Sequence, residues 1–93
     1  MDVQISKNEG RSRFEIAVDG EIAGFTEYFD DDGVREFPHT ATDPGFRGQG
    51  LAGKLVGYAL TATREEGLKA DPICPYVATF IQRHKSYQDL LVE

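Results

Sequence analysis

The sequence predicts an α/β fold of the α+β kind: a three-stranded antiparallel meander, a crossover helix, a fourth strand parallel to the third, and a C-terminal helix. Three observations support this prediction. Alternating apolar and polar stretches are separated by Asp-Gly turns. A glycine-rich segment leads into an apolar stripe with helical spacing. Pro75 stands where a second helix would begin, because proline is favoured at the first helical position.

The meander is predicted between residues 13 and 42. Phe14, Ile16 and Val18 alternate with less apolar positions, which indicates a half-buried strand that ends at a tight turn. The second strand covers 21–29, and the third covers 34–42. Since Pro38 cannot donate to the ladder, it predicts an edge, a bulge or an opening in the third strand.

The second half of the chain is predicted to supply the crossover. An apolar stripe predicts a helix from Leu51 to Glu66, with Gly67 as its C-terminal cap. This stripe comprises Leu51, Leu55, Tyr58, Ala59 and Ala62. The fourth strand lies within 68–74 and the second helix covers 75–84, after which the chain adds a helical turn or a loose tail. A parallel pairing of strands three and four requires a right-handed crossover.

Composition limits the function classes. Ninety-three residues predict a single domain, 1–93. A net charge of −6 and a pI of about 4.8 disfavour a nucleic-acid partner. The sequence shows neither a signal peptide nor a membrane-spanning run. The lone cysteine excludes an internal disulfide, and we expect a cytoplasmic protein.

No metal site is predicted. The acidic run at residues 30–32 is followed by Gly33, which is typical of a solvated hairpin turn, and the further oxygen ligands of a calcium loop are missing. Two separated histidines and one cysteine also lack the spacing of a zinc site.

The segment "FRGQGLAGKL", residues 46–55, is the main candidate for ligand binding. The first N–H groups of a helix have no intrahelical partner, and glycines let an anion approach them closely. No Ser, Thr, Asp or Asn precedes Leu51 to cap these groups, and Arg47 adds a positive charge. The alternative is an ordinary turn that starts a helix. The segment lacks the Gly-Lys-Ser/Thr of a P-loop and the context of a dinucleotide fingerprint.

These residues also carry a family resemblance. "RGQGLA", Arg47 to Ala52, resembles the Arg/Gln-x-x-Gly-x-Gly/Ala signature of the GCN5-related N-acetyltransferases. Most of the chain is similar to the small, single-domain acetyltransferase-like family, also called minimal acetyltransferases. The most specific blocks are His39-Thr40, Arg47–Ala52 and Cys74-Pro75-Tyr76.

The resemblance implies an acetyl-CoA-dependent N-acetyltransferase that acts on an amine of a small molecule or protein. Coenzyme A or acetyl-CoA would be the co-substrate, with its pyrophosphate on the glycine loop and its pantetheine along the third strand. The thioester would enter a gap between strands three and four. The implied binding residues are Thr40, Ala41, Thr42, Phe46, Arg47, Gly48, Gln49, Gly50, Leu51 and Ala52.

Two residues are candidates for catalysis. Cys74 would cap the second helix, where a thiol pKa is lowered, although a buried cysteine is also a common core residue. His39 could act as a general base, as imidazole side chains often do, or could be satisfied by a hydrogen bond at the sheet edge. Glu36 is an alternative base. Tyr76 could protonate the leaving thiolate, but its position in the apolar stripe of the second helix favours packing in the core. Two other functions remain open, a non-catalytic coenzyme A-binding module and a scaffold domain.

Overall fold

The computed structural model describes residues 2–46 and 48–92. Its strands are β1 (Val3–Asn8), β2 (Arg13–Val18), β3 (Glu21–Glu27), β4 (Phe29–Asp31), β5 (Val34–Glu36), β6 (Thr40–Thr42) and β7 (Lys69–Asp71). Its α-helices are α1 (Leu51–Glu65) and α2 (Pro75–Arg83), and short 3-10 helices cover Glu9–Arg11, Pro44–Phe46 and Lys85–Leu90. Within these described residues, no helix is long and apolar enough to cross a membrane.

The strands form two sheets that share one long hairpin. The first sheet has the order β1-β2-β3-β6 and the second the order β4-β5-β7. The pairings between these strands are antiparallel except that of β5 with β7, which α1 connects as the crossover. An isolated parallel bridge also joins Ala70 of β7 to Leu91. The predicted fold class is therefore confirmed, including the parallel relation between the third and fourth predicted strands.

The strand β1 is an addition to the predicted order. It pairs with β2 over its whole length, from Val3↔Val18 to Asn8↔Arg13. Only Val3 and Ile5 pack against the core from this strand. The sequence signal is correspondingly weak, because β1 depends on its partner strand rather than on its own apolar pattern.

A one-residue irregularity divides the long hairpin. Thr26 pairs with Thr40, whereas Phe29 pairs with Glu36, so three steps on one strand face four on the other. The extra residue falls at 37–39, where the predicted third strand is interrupted. This is the opening that Pro38 predicts, since an extra residue bends its strand away from the ladder. As a result β7 continues beside β5, while β6 turns away from it.

The helix α1 covers one face of the sheet. Its buried residues are Leu51, Leu55, Val56, Ala59, Leu60 and Thr63. The predicted stripe is wrong at Tyr58, which is 45% exposed, because the helix turns Val56 and Leu60 toward the sheet instead. The helix ends one residue before the predicted Glu66. Gly67 adopts a φ of 76°, and the next N–H donates to the Thr63 carbonyl, as expected of a glycine cap.

A buried arginine joins the other end of α1 to the sheet. Arg35 of β5 is fully buried and donates to both carboxylate oxygens of Asp30 at 2.7 and 2.8 Å, and to Glu66 at 2.8 Å. Burial alone would lower the pKa of Arg35, but these hydrogen bonds raise it. Arg35 in turn holds the pKa of Glu66 below its ordinary value, and Lys7 adds to this effect. Asp30 is therefore an ion-pair partner in addition to being part of the predicted solvated turn.

Candidate active site

A groove lies between the free edge of β6 and the beginning of α1. Within the part of the chain that the structure describes, β6 pairs with β3 alone, so its second edge faces this groove. The groove has a volume of about 310 Å³. Its walls are Thr40, Thr42, Phe46, Gly48, Gly50, Leu51, Ala52, Gly53 and Tyr76.

The position of β6 depends on a close backbone approach. A Cβ on Gly24 of β3 would lie 2.8 Å from the carbonyl oxygen of Ala41, closer than such atoms can approach. Gly24 pairs with Thr42 in the register. A larger residue at this position would therefore push β6 outward and change the groove.

The start of α1 supplies donors without acceptors. Gly50 is the N-cap residue in the left-handed region, with φ 72°, and no side chain among the described residues caps the helix. The first turn contains no acidic residue. Gly48 has φ 83°, which an L-residue adopts only with strain. The free N–H groups and the helix dipole together favour an anion at this end of the groove.

The groove brings together most of the predicted cofactor-binding residues. Thr40, Thr42, Phe46, Gly48, Gly50, Leu51 and Ala52 all line it. Ala41 points to the opposite face of β6, where it lines a different depression with Phe25 and Arg13. Gln49 is exposed, and Arg47 lies outside the described residues.

A second groove continues from the first along the helices. It has a volume of about 390 Å³ and shares Gly50, Gly53 and Tyr76 with the first groove. Lys54 and Arg83 lie on its walls together with Thr79, Phe80 and His84. No sequence motif predicted this groove. The available signal was Lys54, which lies within the segment 46–55, about one helical turn after Gly50.

Cys74 lies beside the first groove. It is the N-cap residue of α2, as predicted, and is 5% exposed. Its Sγ lies 3.6 Å from the hydroxyl oxygen of Thr40. Burial raises the pKa of the Cys74 thiol, but the nearby backbone N–H groups at the start of α2, that of Val77 first, and the Thr40 hydroxyl favour the ionised sulfur, and the pKa lies below its ordinary value. This environment favours a reactive thiolate.

The structure does not bring His39 to the same side of β6. The His39 side chain is exposed, and its ring centroid lies 5.9 Å from that of Phe25. Phe25 and Thr26 occupy opposite faces of β3, and Cys74 contacts Thr40 on the Thr26 side. His39 and Cys74 therefore flank β6 from its two faces. Glu36 is half-buried at the end of β5, in register with Asp71.

The prediction that Tyr76 packs in the core is wrong. It is 43% exposed and lines both grooves, because Val77 and Ile81 form the buried side of α2. One residue corresponds to about 100° around a helix, so Tyr76 points away from the side that Val77 buries. Within residues 2–46 and 48–92, no three His, Cys, Asp or Glu side chains are grouped as metal ligands.

Comparison with known families agrees with this geometry. The family described as GCN5-related N-acetyl-transferase matches residues 13–90. The chain therefore belongs to the GCN5-related N-acetyltransferase family, a class of acyltransferase enzymes. No curated protein matches it.

Solved structures share the fold. The solution structure of a GCN5-like candidate N-acetyltransferase from Staphylococcus aureus is 25% identical, with a TM-score of 0.73, and the match covers 96% of this chain and 87% of that protein. The ribosomal-protein-S18-alanine N-acetyltransferase from Escherichia coli is 19% identical, with a TM-score of 0.66, and the match covers 82% of this chain but 50% of that enzyme. N-acetylglutamate synthase from Neisseria gonorrhoeae, complexed with coenzyme A and N-acetyl-glutamate, is 14% identical, with a TM-score of 0.62, and the match covers 94% of this chain and 26% of that enzyme.

Proposed function

We propose that the protein transfers an acetyl group from acetyl-CoA to an amine of a small molecule or protein, as a single domain over residues 1–93. The observation that carries this proposal is the uncapped start of α1, whose N–H groups face a groove that leads to Cys74. An anion satisfies such donors without any Cβ obstruction at Gly48 and Gly50. A related fold that binds coenzyme A, the N-acetylglutamate synthase, supports the choice of ligand.

The two grooves suggest how coenzyme A would lie. Its pyrophosphate would accept hydrogen bonds from the N–H groups of Gly50, Leu51 and Ala52. Its pantetheine would run along the free edge of β6, where main-chain groups can pair with its amides. The nucleotide would follow the second groove, and the exposed cations Lys54 and Arg83 would meet the 3′-phosphate. Arg47 would add a charge beside the pyrophosphate.

The reaction itself requires a neutral amine and a leaving thiolate. The amine nitrogen attacks the thioester carbonyl, a C–N bond forms, and the C–S bond breaks as the amine loses a proton and the sulfur gains one. Cys74 lies next to Thr40 on the groove side, so we place it beside the thioester. His39 lies on the other face of β6, so we place it as a base on the acceptor side, and Glu36 is the alternative base.

Two measurements test this proposal. Calorimetry with coenzyme A tests binding, and a folded sample that does not bind it would contradict the proposal. Acetyl-CoA consumption with a panel of amines then separates an enzyme from a non-catalytic binding module. Cys74→Ala is expected to lower turnover at least tenfold with little change in coenzyme A affinity. Full turnover in this variant would remove Cys74 from the mechanism.

Intact-mass measurement separates two roles for Cys74. Incubation with acetyl-CoA in the absence of an amine would add one acetyl group to the protein if the thiol is a nucleophile. Because the chain contains a single cysteine, an acetylated Cys74→Ala control would show that the modification lies elsewhere. No acetylation of the wild-type thiol would leave proton transfer to the leaving sulfur as its role.

A further inference from the structure

Three polar side-chain atoms form a continuous chain behind the groove. The Sγ of Cys74 lies 3.6 Å from the Oγ1 of Thr40, which lies 2.8 Å from the Oγ1 of Thr26. The three residues come from the N-cap of α2, from β6 and from β3. Thr40 lines the groove, whereas Thr26 is fully buried and is not part of the groove wall. The chain therefore links the candidate site to a residue that cannot touch a ligand.

Thr26 places a hydroxyl at a fully buried position, where an apolar side chain of the same shape would be favoured. A buried hydroxyl costs free energy unless it is hydrogen-bonded, and valine would fill nearly the same shape with equal preference for a strand. Thr26 and Thr40 face each other in the β3–β6 register, and each hydroxyl satisfies the other. Such a pair also stabilises a sheet. The contact of Thr40 with Cys74 distinguishes this pair from a merely structural one.

The Thr26–Thr40 hydroxyl pair can form a hydrogen bond with the Cys74 sulfur in both protonation states of the sulfur. When Cys74 is a thiol, its S–H donates to Thr40, and Thr40 donates to Thr26. When the sulfur is ionised, Thr40 turns its single proton to the sulfur and accepts from Thr26 instead. Both directions are open to the Thr26–Thr40 bond, because either oxygen can be its donor. A valine at position 26 supports neither direction.

We propose that Thr26 is a positioning residue, which acts through Thr40 to orient the hydroxyl that serves the Cys74 sulfur. This inference rests on the proposed function, in which Cys74 lies beside the thioester. Removal of the Thr26 hydroxyl leaves Thr40 without the donor behind it. Since hydrogen bonds to a charged group are the stronger ones, the ionised sulfur loses more than the thiol does.

Titration of the single cysteine tests the inference without any substrate. The ultraviolet absorbance of the thiolate is followed against pH, with Cys74→Ala as the blank for the tyrosines. We expect Thr40→Val to raise the Cys74 pKa by about one unit, the size of one hydrogen bond to the charged form, and Thr26→Val by about half a unit. Thr26→Ser keeps the hydroxyl and is expected to stay within about 0.2 unit of the wild type.

Failure of this inference can be distinguished from failure of the proposed function, because the thiol titration tests the first and coenzyme A binding tests the second. A folded Thr26→Val protein that titrates like the wild type overturns the inference, and so does an equal shift in Thr26→Ser. If Thr26→Val does not fold, Thr26→Ala replaces it, with the same expected shift. Coenzyme A affinity, measured by calorimetry on the same samples, is expected to change less than about twofold, because Thr26 does not line the groove. A folded wild-type protein that does not bind coenzyme A would overturn the proposed function, whatever the thiol titration shows.

Discussion

The two ends of α1 differ in whether their polar groups have partners within the protein. At the closed end, defined by Asp30, Arg35 and Glu66, a buried guanidinium is fully paired. At the open end, defined by residues 48–53 and β6, the first N–H groups of the helix and one strand edge face a groove. Helix α1 has fifteen residues, so its two ends lie about 22 Å apart. The difference indicates that polar pairing holds the fold together at the closed end, while the open end leaves its donors for a ligand.

The same sheet feature creates both ends. The extra residue at 37–39 lets β5 stay beside β7, where Arg35 is buried, and turns β6 away. Among the described residues, every buried side-chain nitrogen and oxygen has a hydrogen-bond partner. By contrast, no described side chain caps the first turn of α1 at the open end, and functional sites commonly leave such local rules unmet.

Arg35→Ala is expected to have the largest effect on stability. It removes a buried, fully paired cation that also packs against Phe14 and Tyr28, and we expect a loss of roughly 3–5 kcal/mol in the free energy of unfolding. Urea unfolding measures the change. Arg64→Ala is the matched control, since Arg64 is 40% exposed in its pair with Asp89 and we expect a loss below about 1 kcal/mol. Equal losses in the two variants would contradict the role of the closed end.

Ala52→Glu is expected to separate stability from binding. A carboxylate in the first turn of α1 complements the helix dipole and should stabilise the protein by about 0.5 kcal/mol. The same charge lies on the groove wall, so we expect coenzyme A affinity to fall at least about tenfold. Calorimetry and urea unfolding on the same sample check both changes. Ala52→Gln has the same size without the charge, and an equal loss of affinity there would point to steric blockage instead.

Lys54→Met tests the second groove. If Lys54 meets the 3′-phosphate, the variant should bind coenzyme A about three- to fivefold more weakly, the effect of one exposed charge. Its affinity for dephospho-coenzyme A should match that of the wild type. An equal loss for both ligands would place the 3′-phosphate elsewhere. Lys85→Met is the control, because Lys85 is exposed and does not line the groove.

Glu66→Gln is expected to have the smallest of these effects, a change in how the free energy of unfolding depends on pH. Arg35 lowers the pKa of Glu66, so the unfolded chain binds this proton more readily than the folded one. The stabilisation is therefore complete above the unfolded pKa and is lost as pH falls through the lower folded value. Urea unfolding between pH 7 and about pH 3 should show a shallower decline in Glu66→Gln than in the wild type. An unchanged decline would contradict the pairing.

Local signals explain what the sequence could predict. The turns at 19–20 and 32–33 each combine Asp and Gly with positive φ values, 51° and 83° in the first and 51° and 79° in the second. This chemistry is fixed by the two residues themselves, so the hairpins were predictable. The uncapped start of α1 was predictable for the same reason, because a missing capping residue is visible in the sequence.

Long-range contacts explain what the sequence could not predict. The strand β1 forms by pairing with β2, and Arg35 is buried because Glu66, thirty-one residues later, reaches it. The exposure of Tyr76 follows from how α2 docks through Val77 and Ile81. None of these contacts leaves a periodic pattern in the chain, so propensity alone carries no information about them.

Amide chemical-shift mapping during a coenzyme A titration tests the central claim most directly. The proposal predicts saturable shifts that concentrate at residues 48–53 and 40–42, with smaller shifts near Lys54 and Arg83. The closed end should remain unchanged, since it lies about 22 Å away along α1. A folded protein whose amides do not shift, or whose shifts concentrate around Arg35, would contradict the assignment of the open end as the coenzyme A site.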